Sequence, residues 1–175
     1  MSVVINGSAG VTTNSGAVYN GISAGTAVAS TSGTSIDFTS IPSWVKRITV
    51  MFNAVSTNGT SLPRVQMGTS GGVETTNYVC TYSQISSASV ATARGTGGFD
   101  FYSNQATYSL SGFLTLTLVG SNTWVANGLC STSTTNEQYP SSGGKTLSGT
   151  IDRVRITTVN GTDTFDAGSI NILYE

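Results

Sequence analysis

The chain has 175 residues, of which 38% are hydrophobic and only 9% are charged, and its formal net charge is -1. This length and hydrophobic content fit one compact domain with a short extension. Serine and threonine supply about a third of the residues, so hydroxyl and amide groups replace charge as the source of solubility. The seven basic residues are scattered, which argues against nucleic-acid binding. No apolar run reaches the roughly 20 residues of a membrane span, which argues against membrane insertion.

The N-terminal segment, residues 1–25, is rich in Gly, Ser and Asn and carries only short apolar groups. It lacks the basic and apolar regions of a secretion signal, which predicts a protein made in the cytoplasm. Such a segment cannot bury enough surface to fold alone. We therefore expect residues 1–25 to dock on another protein or a neighbouring subunit, and residues 26–175 to form the folded domain. The docking candidates are its apolar residues: Val3, Val4, Ile5, Val18, Tyr19 and Ile22.

The rest of the chain shows no helical periodicity, and turn-forming residues recur at intervals of about 8 to 12 positions. This spacing predicts an all-β fold, an antiparallel β-sandwich with little or no helix. The stretch Trp44–Ala54 alternates between apolar and polar residues, as a half-buried strand does. Asn58-Gly59 then favours positive φ and predicts a hairpin turn into a partner strand at Leu62–Met67. The alternating positions that face the predicted core are Ile48, Val50 and Phe52.

Further strands are predicted along the chain, beginning with Val73–Ile85 after the turn at Gly71-Gly72. The clearest hairpin runs from Leu110 to Ser131, with its turn at Gly120–Asn122. Two last strands alternate in the same way and close a sheet. The stretches Ser86–Thr107 and Ser131–Lys145 are irregular and are predicted to be exposed loops. Predicted core positions of the hairpin and last strands are Leu110, Leu114, Leu116, Leu118, Trp124, Ala126, Cys130, Val154, Ile156, Ile170, Ile172 and Tyr174.

The opposite face of the Leu110–Ser131 hairpin is less polar than burial of one face requires. A strand that is apolar on both faces needs a second cover. That cover is either the loops of the same chain or another copy, and we favour another copy. The self-association candidates on this face are Phe113, Val119, Val125 and Leu129.

The composition is unfavourable for catalysis. The chain has no histidine, so a Ser/His/Asp or Cys/His nucleophile and a histidine-rich metal site lack their base or ligands. We expect no cofactor and no enzymatic activity. Cys80 and Cys130 are more typical of small buried hydrophobic residues than of a disulfide, although a bridge remains open. Asp163 and Asp166 are the closest interior pair of carboxylates and indicate a turn, with a calcium site as the open alternative.

Aromatic residues in or beside the long loops alternate with amides and hydroxyls, a mixture that suits sugar or protein surfaces. The alternative is that these rings close the ends of the sandwich. The same mixture includes Tyr78 and Tyr82, which share a face of the Val73–Ile85 strand. The receptor-contact candidates are Tyr102, Asn136, Gln138 and Tyr139.

Two long blocks, "SIDFTSIPSWVKRITVMFNAVSTNGTS" and "LSGTIDRVRITTVNGTDTFDAGSINILYE", carry a family resemblance. Over roughly residues 26–175 the chain resembles the jelly-roll-like domain that ends many tail fibre and minor tail proteins of tailed bacteriophages. The resemblance implies a β-sandwich virion component, usually trimeric, placed where it can meet the host surface. The chain differs from the usual fibre because only the short segment 1–25 precedes the domain.

The expected function is that of a non-enzymatic virion protein, assembled in the cytoplasm of the bacterial host. The most favoured form is a short tail fibre or a tail- or baseplate-attached component, docked through residues 1–25 on another virion protein. Its loops would contact a polysaccharide or protein of the host surface. A head decoration, capsid-stabilising or head-fibre protein is the first alternative. A carbohydrate-binding module or a polysaccharide depolymerase is the second, and the depolymerase would need two carboxylates about 5 to 9 Å apart.

Overall fold

The computed structural model describes the backbone of residues 3–6, 10–13 and 18–19 and the whole of residues 21–175. The described residues form β-strands joined by turns and loops, and they contain no helix long and apolar enough to cross a membrane. The all-β prediction is confirmed. In chain order the strands are β1 (Val3–Asn6), β2 (Gly10–Thr13), β3 (Val18–Tyr19), β4 (Ser23–Ala24), β5 (Val28–Ala29), β6 (Ser35–Phe38), β7 (Arg47–Thr57), β8 (Pro63–Thr69), β9 (Gly72–Val73), β10 (Val79–Ile85), β11 (Val90–Gly95), β12 (Phe99–Asp100), β13 (Leu110–Gly120), β14 (Thr123–Thr132), β15 (Gln138–Thr146), β16 (Arg153–Thr158) and β17 (Phe165–Tyr174).

Two antiparallel sheets pack against each other as a β-sandwich. The large sheet has the order β11-β10-β15-β14-β13-β7-β17-β4, and β5 also pairs with β17. The small sheet has the order β12-β8-β16-β6, and β9 also pairs with β8. The β-sandwich predicted from the alternating pattern is therefore present, in keeping with the jelly-roll-like form that the resemblance implies.

The core lies between the two sheets because one face of each strand is apolar. Ile48 and Val50 of the large sheet are fully buried, as are Val65 and Val154 of the small sheet. Aromatic rings join the layers: Phe52 meets Phe101 edge-on with ring centroids 5.6 Å apart. These burial patterns confirm the predicted core positions, except that Tyr174 and Leu118 are half-buried at the margin of the core.

The predicted hairpin of β13 and β14 is confirmed. Gly120 pairs with Thr123, which leaves a two-residue loop of Ser121 and Asn122. Both loop residues have positive φ, 46° and 62°. Two positive φ angles define the type I′ turn, whose twist matches that of the strands it joins.

The hairpin predicted around Asn58-Gly59 is wrong. β7 pairs with β13 and β17 in the large sheet, whereas β8 belongs to the small sheet, so the connection crosses between layers. Asn58 makes its bonds with Thr164 instead: its N–H donates to the Thr164 carbonyl, and its Oδ1 accepts from the Thr164 N–H, both at 2.9 Å. These distant partners outweigh the local turn preference of Asn-Gly.

Three other boundaries also differ from the predictions. The strand expected over Val73–Ile85 is divided into β9 and β10, and between them the Tyr78 hydroxyl accepts from the Met67 N–H at 2.7 Å. The loop expected over Ser86–Thr107 contains β11 and β12, and the loop expected over Ser131–Lys145 is largely β15. Strands rich in Gly, Ser and Thr lack the apolar alternation that makes a strand visible in a sequence.

The strands of the N-terminal extension pair with one another in the order β1-β2-β3. The register aligns Ile5 with Val11 and Val11 with Tyr19. Five of the docking candidates fall in this segment, and their side chains lie outside the described residues. The sixth, Ile22, immediately precedes β4, and its side chain is 67% exposed.

Candidate assembly surface

The face of the large sheet that points away from the small sheet exposes an apolar surface, which we call the outer face. Phe113, Val125 and Leu129 are 48%, 45% and 42% exposed, and Val79 on β10 is 63% exposed. These residues project outward because their neighbours along each strand point into the core. The structure thus places three of the four self-association candidates together on one face.

Strand register joins the apolar residues of the outer face into rows. Phe113 is paired with Met51 on one side and with Leu129 on the other, and Leu129 is paired with Pro140. Met51 and Pro140 are half-buried. Val125 and Val79 are both paired with the same residue of β15, Gly144, which gives a second apolar row. A row of polar residues, Thr115, Asn127 and Ser142, lies between the two, so the outer face carries two separate apolar rows.

The centre of the outer face is electrically neutral. The strands β13 and β14 contain no Asp, Glu, Lys or Arg, and their outward positions alternate apolar residues with Thr and Asn. At the end of β7, Arg47 is paired with Glu175. A face without charge at its centre, in which apolar rows alternate with hydroxyl and amide groups, has the charge-depleted composition of a protein interface core.

The N-terminal extension joins the body beside this surface. Ile22 shares a shallow cavity of about 240 Å³ with Thr49, Thr115 and Leu173. The residue that precedes β4 therefore lies next to the outer face. Val119, the fourth self-association candidate, is 69% exposed close to the β13–β14 turn.

The four receptor-contact candidates occupy different environments. Asn136 and Gln138 are exposed and border an open cleft of about 480 Å³. Tyr102 is half-buried and packs on Tyr82, with ring centroids 5.8 Å apart. The prediction for Tyr139 is wrong, because this residue lies in β15 and is fully buried. Its hydroxyl donates to Glu137 Oε2 at 2.5 Å.

The other aromatic rings proposed for binding mostly serve the core. Tyr78, Phe99 and Phe101 are almost completely buried, and Tyr78 meets Phe99 edge-on at 5.2 Å. The alternative interpretation, in which these rings fill the interior, applies to them. The sequence did not indicate that these rings are buried, because they lie among Gly and Ser and come together only through tertiary packing.

The eight carboxylates are each held by a donor of the same chain. Five form ion pairs, in the combinations Asp37–Arg155, Glu74–Lys145, Asp100–Arg64, Asp152–Arg153 and Glu175–Arg47. Glu137 accepts from Tyr139, and Asp166 accepts from Ser56. Asp163 accepts from the Ser61 N–H at 2.8 Å and from Asn160 Nδ2 at 2.6 Å. Both oxygens of Asp163 thus tie two turns together, as expected of a turn residue.

The cysteines are free and buried, as the sequence favoured. Burial raises the pKa of both thiols. Cys80 lies 3.6 Å from the Ser141 hydroxyl. A raised pKa keeps a thiol protonated and unreactive, so both cysteines act as small core residues.

Lys145 is the most deeply buried cation of the described residues, and the sequence did not indicate its depth. Its side chain is 4% exposed, its Nζ lies 2.6 Å from Glu74 Oε2, and it stands 5.3 Å from the centre of the Tyr78 ring. Ser148 also donates to Glu74, from its N–H and its hydroxyl. Partial burial disfavours the ionised form of Glu74, but the bonds from Lys145 and Ser148 outweigh burial and lower its pKa.

The lowered pKa of Glu74 predicts that the fold becomes less stable in acid. A pKa that is lower in the folded than in the unfolded state adds stability above the unfolded value, ordinarily 4.5, and the stability is lost as pH falls through the folded value. We expect the free energy of unfolding to decrease between pH 6 and pH 3. Glu74→Gln should reduce that decrease, as measured by urea unfolding at both pH values. Equal pH dependence of the two proteins would contradict the assignment.

Comparison with known proteins returns no relative. No family matches the chain, and neither a curated protein nor a solved structure matches it.

Proposed function

We propose that this chain is a structural subunit of a bacteriophage particle, in the form of a homo-oligomer attached to another virion protein. The observation that carries the proposal is the neutral, apolar outer face of the large sheet. Exposed apolar rows of this kind mark a surface for another protein. The resemblance to tail fibre and minor tail domains adds the virion setting and favours a trimer.

A second copy is the favoured partner for the outer face. The centre of the face lacks charge, so identical copies meet there without repulsion between like charges. The body would then present its loops, including Asn136 and Gln138, to the exterior. In this arrangement the exposed loops contact the host surface, and the particle is either a tail structure or a decorated head.

The self-association is tested by the mass of the purified full-length chain in solution. Light scattering at micromolar concentration should give a mass close to three times the 18.0 kDa of one chain. The mass of a single chain at this concentration would overturn the proposal that copies associate.

The docking role of the extension has its own test. Deleting residues 2–20 leaves β4 in place, so the large sheet keeps its edge pairing with β17. We expect the shortened protein to keep its circular dichroism spectrum but to be missing from assembled particles. Normal incorporation of the shortened protein would contradict docking through this segment.

A further inference from the structure

The outward side of the small sheet carries a second surface, which we call the polar groove. It has a volume of about 320 Å³. Its lining includes Thr75 and the turn at Asn160-Gly161, together with residues of the strands. Strand register places polar residues in two rows on this side of the sheet. The first row is Asp100, Arg64, Thr157 and Ser35, and the second is Gln66, Arg155 and Asp37.

Several polar side chains of the groove are fixed before any ligand arrives. Gln66 is 6% exposed, and its Nε2 donates to the Gly97 carbonyl at 2.7 Å. Its Oε1 accepts no hydrogen bond from the described residues. Thr157 is similarly buried, and its hydroxyl donates to the Thr34 carbonyl at 2.8 Å. Side chains that are already ordered lose little entropy on binding.

Both arginines of the groove are oriented by a carboxylate on the neighbouring strand. Arg64 donates from Nε and Nη2 to Asp100, at 2.6 and 3.0 Å. Arg155 donates from the same two nitrogens to Asp37, both at 2.7 Å. Within the described part of the chain, the Nη1 group of each arginine has no hydrogen-bond acceptor. The groove therefore offers guanidinium donors whose charge is already balanced.

This combination favours a neutral, hydroxyl-rich ligand. An anion would approach two carboxylates, and an apolar molecule would leave the amide and guanidinium groups without partners. A sugar hydroxyl both donates and accepts, so it can bond to Nη1 groups and to Gln66 Oε1 together. We propose that the polar groove binds a sugar residue of a neutral polysaccharide.

The site is distinct from the loops that carry Asn136 and Gln138, and it does not depend on assembly through the outer face. The two surfaces lie on opposite sides of the sandwich. Failure of sugar binding would therefore leave the assembly proposal intact, and failure of assembly would leave the groove intact.

The test is a titration of the isotope-labelled full-length protein, followed by amide NMR shifts. The probes are the methyl glycosides of glucose, galactose, mannose and N-acetylglucosamine, with the methyl glycoside of glucuronic acid as the charged comparison. We expect at least one neutral glycoside to shift the amides of Ser35, Gln66 and Thr157, with a dissociation constant of about 1 to 10 mM.

Two variants make the result specific. Arg155→Lys keeps the positive charge beside Asp37 but removes the planar fork, and it should weaken binding about tenfold. Arg153→Lys is the matched control, since Arg153 lies on the same strand, pairs with Asp152 and does not line the groove. It should bind as the unmodified protein does.

Three results would overturn the proposal. They are the absence of shifts with all four neutral glycosides at about 20 mM, binding of the glucuronic acid glycoside alone, and equal binding by the Arg155→Lys variant and the unmodified protein.

Discussion

Replacing Phe113 and Leu129 together with aspartate is expected to convert the oligomer into monomers. The two residues are direct cross-strand neighbours at the centre of the outer face. Two carboxylates there would have to lose their water on strands that carry no cation, and identical copies would repel each other. We expect the dissociation constant of the assembly to rise at least about 100-fold, measured by analytical ultracentrifugation over a concentration series.

The control for this variant is Val159→Asp. Val159 is 43% exposed, close to the 42% of Leu129, but it lies outside the large sheet. Its replacement should leave the mass in solution unchanged. Both altered proteins should keep the circular dichroism spectrum of the sandwich, because the replaced side chains lie outside the core. An unchanged oligomer after the double replacement would exclude the outer face as the contact between copies.

Replacing Asp100 with alanine is expected to destabilise the fold by about 3 to 5 kcal/mol. Asp100 is 1% exposed, and its carboxylate binds the Arg64 guanidinium through two hydrogen bonds. That hydrogen bonding raises the pKa of Arg64, so its charge persists at every accessible pH. Alanine would leave this largely buried charge without a partner, and the loss is measured by urea unfolding at pH 7.

Two further variants separate this effect from a general loss of charge. Asp152→Ala breaks the more exposed pair with Arg153, whose side chains are 28% and 27% exposed, and should cost less than about 1 kcal/mol. The double replacement Arg64→Met with Asp100→Leu removes both charges and should regain most of the lost stability. An Asp100→Ala variant as stable as Asp152→Ala would contradict a dependence on the buried pair.

The sequence predicted those strands and turns that are determined by residues close together in the chain. Alternation gave the inward faces of β7, β13 and β14, and the β13–β14 turn follows from a glycine and an asparagine at the end of a long alternating run. The exposed outer-face residues were also visible, because Phe113 and Leu129, like Val119 and Val125, occupy positions that alternation assigns to the outward, polar side.

Features that depend on distant partners could not be predicted in this way. Asn58 bonds to Thr164, which is far along the chain, and this contact replaces the hairpin expected from Asn-Gly. β15 was missed because its residues are mostly Gly, Ser and Pro, although pairing with β14 and β10 buries Tyr139 and Lys145. The polar groove needs the register of β8 and β16 to bring its arginines and Gln66 together.

The central claim, that the chain is a virion structural protein, is tested most directly by locating it on particles. Antibodies against the purified chain, carried on gold, should label phage particles from the source that encodes it, at repeated positions visible by electron microscopy. Labelling at the tail would assign a fibre or tail-attached role, and labelling over the head would assign decoration. Particles that carry no label, and whose purified protein contains no peptide of this chain by mass spectrometry, would contradict the claim.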